Sequence, residues 1–192
     1  WIVFLNFDVM LKSDLRKIYK QKRNDLTFEE IKCLQENIYA QVYDLDISEI
    51  QTVHLFLTLV KFKEIDTNPI INYFRSQNKK IVVSKSDFKN SSLTHFYLEK
   101  DTEIELNKYG IPEPVNAVQV SESNIDLIFV PLLISDEKHY RVGYGKGFYD
   151  RFLANCREDC KKIGLNFFKP IFKISDVNEF DIALDEVIYP KL

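Results

Sequence analysis

Apolar residues return along the chain at two different spacings. Over residues 11–23, Leu11, Leu15 and Ile18 recur at three- and four-residue intervals, the period of a helix that buries one face. A second helix is predicted to open at Thr27-Phe28-Glu29-Glu30, where hydroxyl and carboxylate can cap each other's amides. Its apolar stripe is Ile31, Leu34, Ile38, Val42 and Leu45. The pattern then changes to short continuous apolar runs at 53–59, 80–84, 125–130 (ended by Pro131) and 162–168, with a weaker one at 93–98. Runs of that length read as buried strands. Helical spacing returns near 69–77 and after Gly147, where Phe148, Phe152 and Cys156 share a side flanked by Tyr149, Leu153 and Cys160. Strands alternating with helices predict an α/β fold. We expect a single three-layer domain with a mostly parallel sheet covered by helices on both faces, preceded by an N-terminal helical segment. In such folds ligands bind at the carboxyl ends of the strands.

Composition narrows the function classes. A length of 192 residues with 45% apolar content suits one domain with an ample core. A net charge of −3 provides no overall field to attract nucleic acid or an anionic membrane. Three cysteines without paired spacing argue against a disulfide framework and for a reducing compartment. Cys156 and Cys160 lie one helical turn apart but lack two further zinc ligands. No apolar run approaches the roughly 20 residues of a membrane span. Residues 1–9 are apolar around Asp8, with no basic start or cleavage site. Met10 is the chain's only methionine, so we expect it to be the natural start and 1–9 an upstream extension, which intact-mass analysis of the native protein would decide.

The string Arg141-Val142-Gly143-Tyr144-Gly145-Lys146-Gly147-Phe148-Tyr149-Asp150 carries the chemistry. Three of the five glycines alternate here, between a strand and a helix start, where bare backbone and free amides suit an anion. Lys146 adds a mobile cation, Arg141 a bidentate fork, and Asp150 a carboxylate suited to Mg²⁺ beside a phosphate. The spacing excludes the dinucleotide fingerprint, since the third glycine comes one residue early. It excludes a Walker loop as well, since no Ser or Thr follows the lysine. Lys12, Arg16 and Lys20 share one face of the first helix. A carboxylate-rich tail at 176–190 contains Asp181, and acids clustered near phosphates need a cation between them. Tyr109-Gly110-Ile111-Pro112-Glu113-Pro114 reads as a rigid loop. His54 reads as a packed residue. Neither His95 nor His139 sits beside a nucleophile and an orienting carboxylate, so no hydrolase triad is expected.

The glycine string strongly resembles the signature of the 5-formyltetrahydrofolate cyclo-ligase family, which reads Arg-Leu-Gly-x-Gly-x-Gly-Tyr-Tyr-Asp. Val142 and Phe148 are this chain's departures from it. The resemblance extends over nearly all of residues 10–190. It implies ATP-dependent closure of 5-formyltetrahydrofolate to 5,10-methenyltetrahydrofolate, with release of ADP and phosphate. It also implies a cytoplasmic monomer that takes small-molecule substrates and neither nucleic acid nor membrane. Nucleotide binding would fall to Lys12, Arg16, Arg141, Val142, Gly143, Tyr144, Gly145, Lys146, Gly147, Phe148 and Tyr149, with Arg141 and Lys146 catalytic. Folate would meet Leu57, Glu64, Tyr109, Tyr144 and Phe148, and Mg²⁺ would bind Asp150 and Asp181. The competing readings are a non-catalytic nucleotide- or folate-binding relative, and a sugar-phosphate isomerase or acyl-CoA transferase on the same layered fold. ADP release that depends on the folate separates them.

Overall fold

The structure is a computed structural model that describes residues 10–191; the expected extension over residues 1–9 lies outside them. Helices α1 (Lys12–Asp25) and α2 (Phe28–Tyr43) form where helical spacing was read, but of Leu11, Leu15 and Ile18 only Leu15 is buried, and Tyr19 and Arg23 complete the buried face of α1. Between them the reciprocal cap is present: Thr27 N–H donates to Glu30 at 2.7 Å and Glu30 N–H to the Thr27 hydroxyl at 3.2 Å. The chain continues through β1 (Thr52–His54), α3 (Asn68–Ser76), β2 (Lys80–Asp87), β3 (Ser92–Tyr97), β4 (Glu103–Leu106), β5 (Pro112–Val115) and β6 (Gln119–Val120). It ends with β7 (Leu127–Pro131), β8 (Ile134–Ser135), β9 (Arg141–Val142), α4 (Phe148–Ala154), β10 (Lys161–Leu165) and β11 (Glu186–Ile188). Seven strands form one sheet in the order β11-β10-β7-β1-β2-β3-β6, with β4–β5 and β8–β9 as separate ribbons. From β11 to β2 the strands are parallel; at the other edge β3 pairs antiparallel with β2, and β6 antiparallel with β3.

Strand alternation sets the layers. Successive side chains of a strand point to opposite faces, so Ile81, Val83, Leu127 and Phe129 join one apolar cluster while Val82, Ile128 and Val130 join another. The first cluster is covered by Ile38 and Val42 of α2 and by Ile70, Ile71 and Phe74 of α3. The second is covered by Phe152 and Leu153 of α4. Helix α1 packs elsewhere: Leu15 and Tyr19 bury against Leu133, Ile134 and Val142, beyond the carboxyl end of β7. That places its basic face over the mouth of the sheet.

Glycine 164 of β10 shows how tightly the second layer closes. A Cβ there would stand 2.6 Å from Leu132 and 2.7 Å from Leu184. Gly164→Ala is therefore expected to cost about 1–3 kcal/mol by overpacking, seen as a lower denaturation midpoint at unchanged m-value.

Three local expectations are corrected. The run at 53–59 is a strand only over Thr52–His54. Beyond it the Leu55 amide still reaches Val82 O at 2.9 Å, after which Thr58 and Leu59 bond to Ile65 and Glu64 and turn the chain out of the sheet. The helix expected to carry Cys156 and Cys160 stops at Ala154, and Cys160 instead buries beside β10. The proline-rich segment is not loop throughout: Pro112–Val115 pairs with β4, where a strand at an edge tolerates proline.

Candidate active site

A cavity of about 530 Å³ opens at the carboxyl ends of β1, β2 and β7. Its walls include every residue that the sequence placed in a site, from Lys12 and Arg16 through Leu57 and Glu64 to the glycine string and Asp181, with the exception of Tyr109. Tyr109 stacks on Phe88 at 4.4 Å in a separate groove, and Phe88 faces the cavity in its place, edge-on to Phe148 at 5.2 Å. Ile111 and Pro112 of the same segment do reach the wall.

One end of the cavity is built for an anion. Gly145 and Gly147 adopt φ of 87° and 70°, the left-handed region that glycine enters without a Cβ clash. A Cβ on Gly145 would also meet the Arg16 guanidinium at 3.0 Å. Among the described residues, none of the amides of Gly143, Tyr144, Gly145, Lys146 and Gly147 donates a hydrogen bond. Helix α4, at seven residues, contributes little dipole, so the attraction for an anion rests on these amides and the neighbouring cations. Arg16 Nε donates to Gly143 O at 2.9 Å and thus holds the loop against α1.

Two ion pairs flank the loop. Arg141, nearly buried, donates from Nη2 to Asp150 Oδ1 at 2.7 Å and from Nη1 to Ile182 O. Burial pulls its guanidinium below the ordinary value, while Asp150 and Asp181 oppose that pull. Lys12 pairs with Asp181. With those four charges matched, Arg16 and Lys146 leave the loop end with net positive charge. Oδ2 of Asp150 and Oδ1 of Asp181 take no hydrogen bond among the described residues.

The opposite end is mainly apolar, with Glu64 and the β1–β2 wall residues His54, Ser84 and Ser86 as its polar groups. Leu57, Leu59, Phe62, Phe88 and Leu93 line it, and Glu64 accepts from the Leu59 amide at 2.9 Å. Burial pushes the Glu64 carboxyl above the ordinary carboxylate range, although the Leu59 amide, the Tyr144 hydroxyl and Arg23 all favour its charge. The Tyr144 and Tyr149 phenols are driven up by burial and stay neutral.

Sequence reasoning gave no site role to Arg23, Ser84 or His95, while His54 is packed as expected. Arg23 is buried in α1, donating to Leu132 O and, at 3.2 Å, to the Tyr144 hydroxyl beside Glu64. It lies seven residues after Arg16, so helical periodicity alone contained that signal. His54, Ser84 and His95 meet in one hydrogen-bonded group, with Glu122 beside His95, although no local spacing links them. The premise that His95 does not sit beside a hydroxyl and a carboxylate is thereby corrected for His95, which has Ser84 on Nδ1 and Glu122 3.6 Å from Nε2.

A model described as the 5-formyltetrahydrofolate cyclo-ligase family matches residues 9–190. The 5-formyltetrahydrofolate cyclo-ligase of Mus musculus is 28% identical over 191 residues, covering 93% of each chain. That of Haemophilus influenzae is 30% identical over 148 residues, covering 76% of each. The NMR structure of Aquifex aeolicus 5,10-methenyltetrahydrofolate synthetase superposes with a TM-score of 0.80 at 27% identity, covering 95% of this chain and 91% of that one. With a family model spanning nearly the whole chain and an architecture shared with a solved synthetase, this protein belongs to the 5-formyltetrahydrofolate cyclo-ligase family.

Proposed function

We propose that the chain closes 5-formyltetrahydrofolate to 5,10-methenyltetrahydrofolate at the expense of ATP, releasing ADP and phosphate. The observation that carries this reading is the run of five amides from Gly143 to Gly147, unpartnered among the described residues, beside Arg16 and Lys146 and opening onto a mainly apolar chamber that ends at a buried carboxylate. One end suits a phosphate tail; the other suits a flat heterocycle with hydrogen-bond donors.

The chemistry explains why both must meet. A formyl oxygen on nitrogen is a poor leaving group, so attack by the neighbouring 10-nitrogen needs that oxygen activated. Transfer of the γ-phosphoryl group onto it supplies the activation, and ring closure then expels phosphate. The protein positions the reactants and offsets charge. The loop amides hold phosphate oxygens, Arg141 and Lys146 meet the charge on the transferred group, and Lys12 and Arg16 engage the nucleotide from α1. Leu57, Tyr144 and Phe148 wall the folate, and Glu64 accepts from it. Tyr109 supports that wall through Phe88.

Mg²⁺ fits the free oxygens of Asp150 and Asp181, because it takes one or two carboxylates together with phosphate and water. Bound there it would neutralise phosphate charge. We further propose that residues 10–192 act as one unit, as a monomer in the cytoplasm without nucleic-acid or membrane partners. The three free cysteines support a reducing compartment, and no helix among the described residues is long and apolar enough to cross a membrane.

The test is turnover by the purified protein with ATP, Mg²⁺ and the folate, followed as methenyl absorbance and ADP. Absence of both products would remove the reading. Lys146→Ala is expected to slow turnover about ten- to a hundredfold, the loss of one charge-assisted hydrogen bond of roughly 1.5–3 kcal/mol. Wild-type kcat in that variant would take Lys146 out of the mechanism.

A further inference from the structure

We infer that Ser84 determines specificity in the folate half of the cavity by presenting an oxygen that can only accept, and so selects a substrate that offers an N–H donor at that point. The inference deepens the folate reading and rests on it.

Ser84 Oγ stands 2.7 Å from His54 Nε2 and 2.9 Å from His95 Nδ1. A hydroxyl has one proton. With both imidazoles neutral and only one of the two facing nitrogens protonated, Ser84 donates to the bare ring nitrogen and accepts from the other. Its proton is thus committed, and only a lone pair remains for a ligand. A cationic ring would break this logic by donating where it now accepts, leaving the hydroxyl free to donate. Burial disfavours that state: His54 is enclosed and held well below its ordinary value, and His95 is pushed down to about 4.

The surroundings choose one arrangement. Glu122 Oε1 lies 3.6 Å from His95 Nε2, so the His95 proton belongs on Nε2, facing the carboxylate. His95 Nδ1 is then bare and accepts the Ser84 proton, while His54 Nε2–H donates to Ser84. Phe152 packs on both rings, with centroids 4.9 Å from His54 and 4.0 Å from His95, and holds them in place. Both histidines are buried, His54 bordering the cavity with no exposed surface, whereas Ser84 is partly exposed and lines the cavity. Ser84 is therefore the member of the group that meets a ligand. A reduced pterin carries candidate donors at its 2-amino group, N3 and N8.

The experiment measures Kd by calorimetry for wild type and Ser84→Ala, with 5-formyltetrahydrofolate and with analogues lacking the 2-amino group, the N3 hydrogen or the N8 hydrogen. A neutral hydrogen bond of roughly 0.5–1.5 kcal/mol predicts about 2- to 13-fold weaker folate binding by Ser84→Ala, at unchanged ATP affinity. One analogue should lose a similar factor on wild type and nothing further on the variant. Equal folate affinity in both proteins, or analogue losses identical in both, would overturn the proposal. Imidazole ¹⁵N spectra of wild type supply a readout that needs no variant: both rings are expected neutral with the proton on Nε2, and a cationic ring at neutral pH sinks the acceptor argument. Failure of wild type to bind the folate at all would instead overturn the functional reading.

Discussion

Replacing Arg141 by alanine is expected to lower turnover about 10²–10³-fold, the range for losing one group that stabilises developing charge. The same change should lower the melting temperature. Its guanidinium is nearly buried and bridges Asp150 to the Ile182 carbonyl, so removal leaves a carboxylate and a carbonyl without their partner. Breaking a fully buried pair costs about 3–5 kcal/mol; because the Asp150 side chain is 30% exposed, we expect about 2–3 kcal/mol. For a chain of this size that corresponds to roughly 5–10 °C. Arg141→Lys should recover part of the stability and little of the rate, because a lysine cannot span both acceptors in the fork geometry. A melting curve unchanged in Arg141→Ala would show that the ion pair contributes nothing to the fold.

Glu64→Gln is expected to move stability and binding in opposite directions. Folate affinity should fall about 10- to 150-fold, from the loss of a charge-assisted hydrogen bond of roughly 1.5–3 kcal/mol. Stability at neutral pH should rise, because burial disfavours the charged form and an uncharged amide keeps the bond to the Leu59 amide. The sign of the pH dependence follows. Folded Glu64 holds its proton more tightly than the unfolded chain does, so acidification is linked to folding at this site. Its burial penalty is present above the raised folded value and disappears as pH falls through that value to the ordinary 4.5. Urea midpoints of wild type and variant should therefore converge on acidification across that window. A gap that widens as pH falls would contradict the assignment. A carboxylate kept where it weakens the fold is what a binding role requires.

Much of the molecule was legible in the linear chain because its signals are local. Helical spacing over 11–23 and the reciprocal cap at Thr27 and Glu30 predicted α1 and α2, which fold from neighbours three and four residues apart. Short apolar runs marked the central strands, since a strand covered on both faces must be apolar on both. The glycine string marked the loop that lines one end of the cavity, because left-handed backbone at Gly145 and Gly147 suits those residues alone. Strand ends were less legible: at 55–59 side-chain bonds from Thr58 and Glu64 outcompete the ladder, and those partners come from further along the chain.

The sequence by itself thus determined the layers, the glycine loop and the cations that line the same cavity. Only the tertiary structure decided which polar residues share the far end of the cavity. Ser84 meets His95 because β2 and β3 pair them directly, and it meets His54 because β1 lies in register with β2 two residues earlier, at Val82. Phe88 replaced Tyr109 at the wall for the same kind of reason, a stacking contact across 21 positions of chain. Periodicity reports what one segment must bury. Strand register arises between distant segments, and no local spacing encodes it.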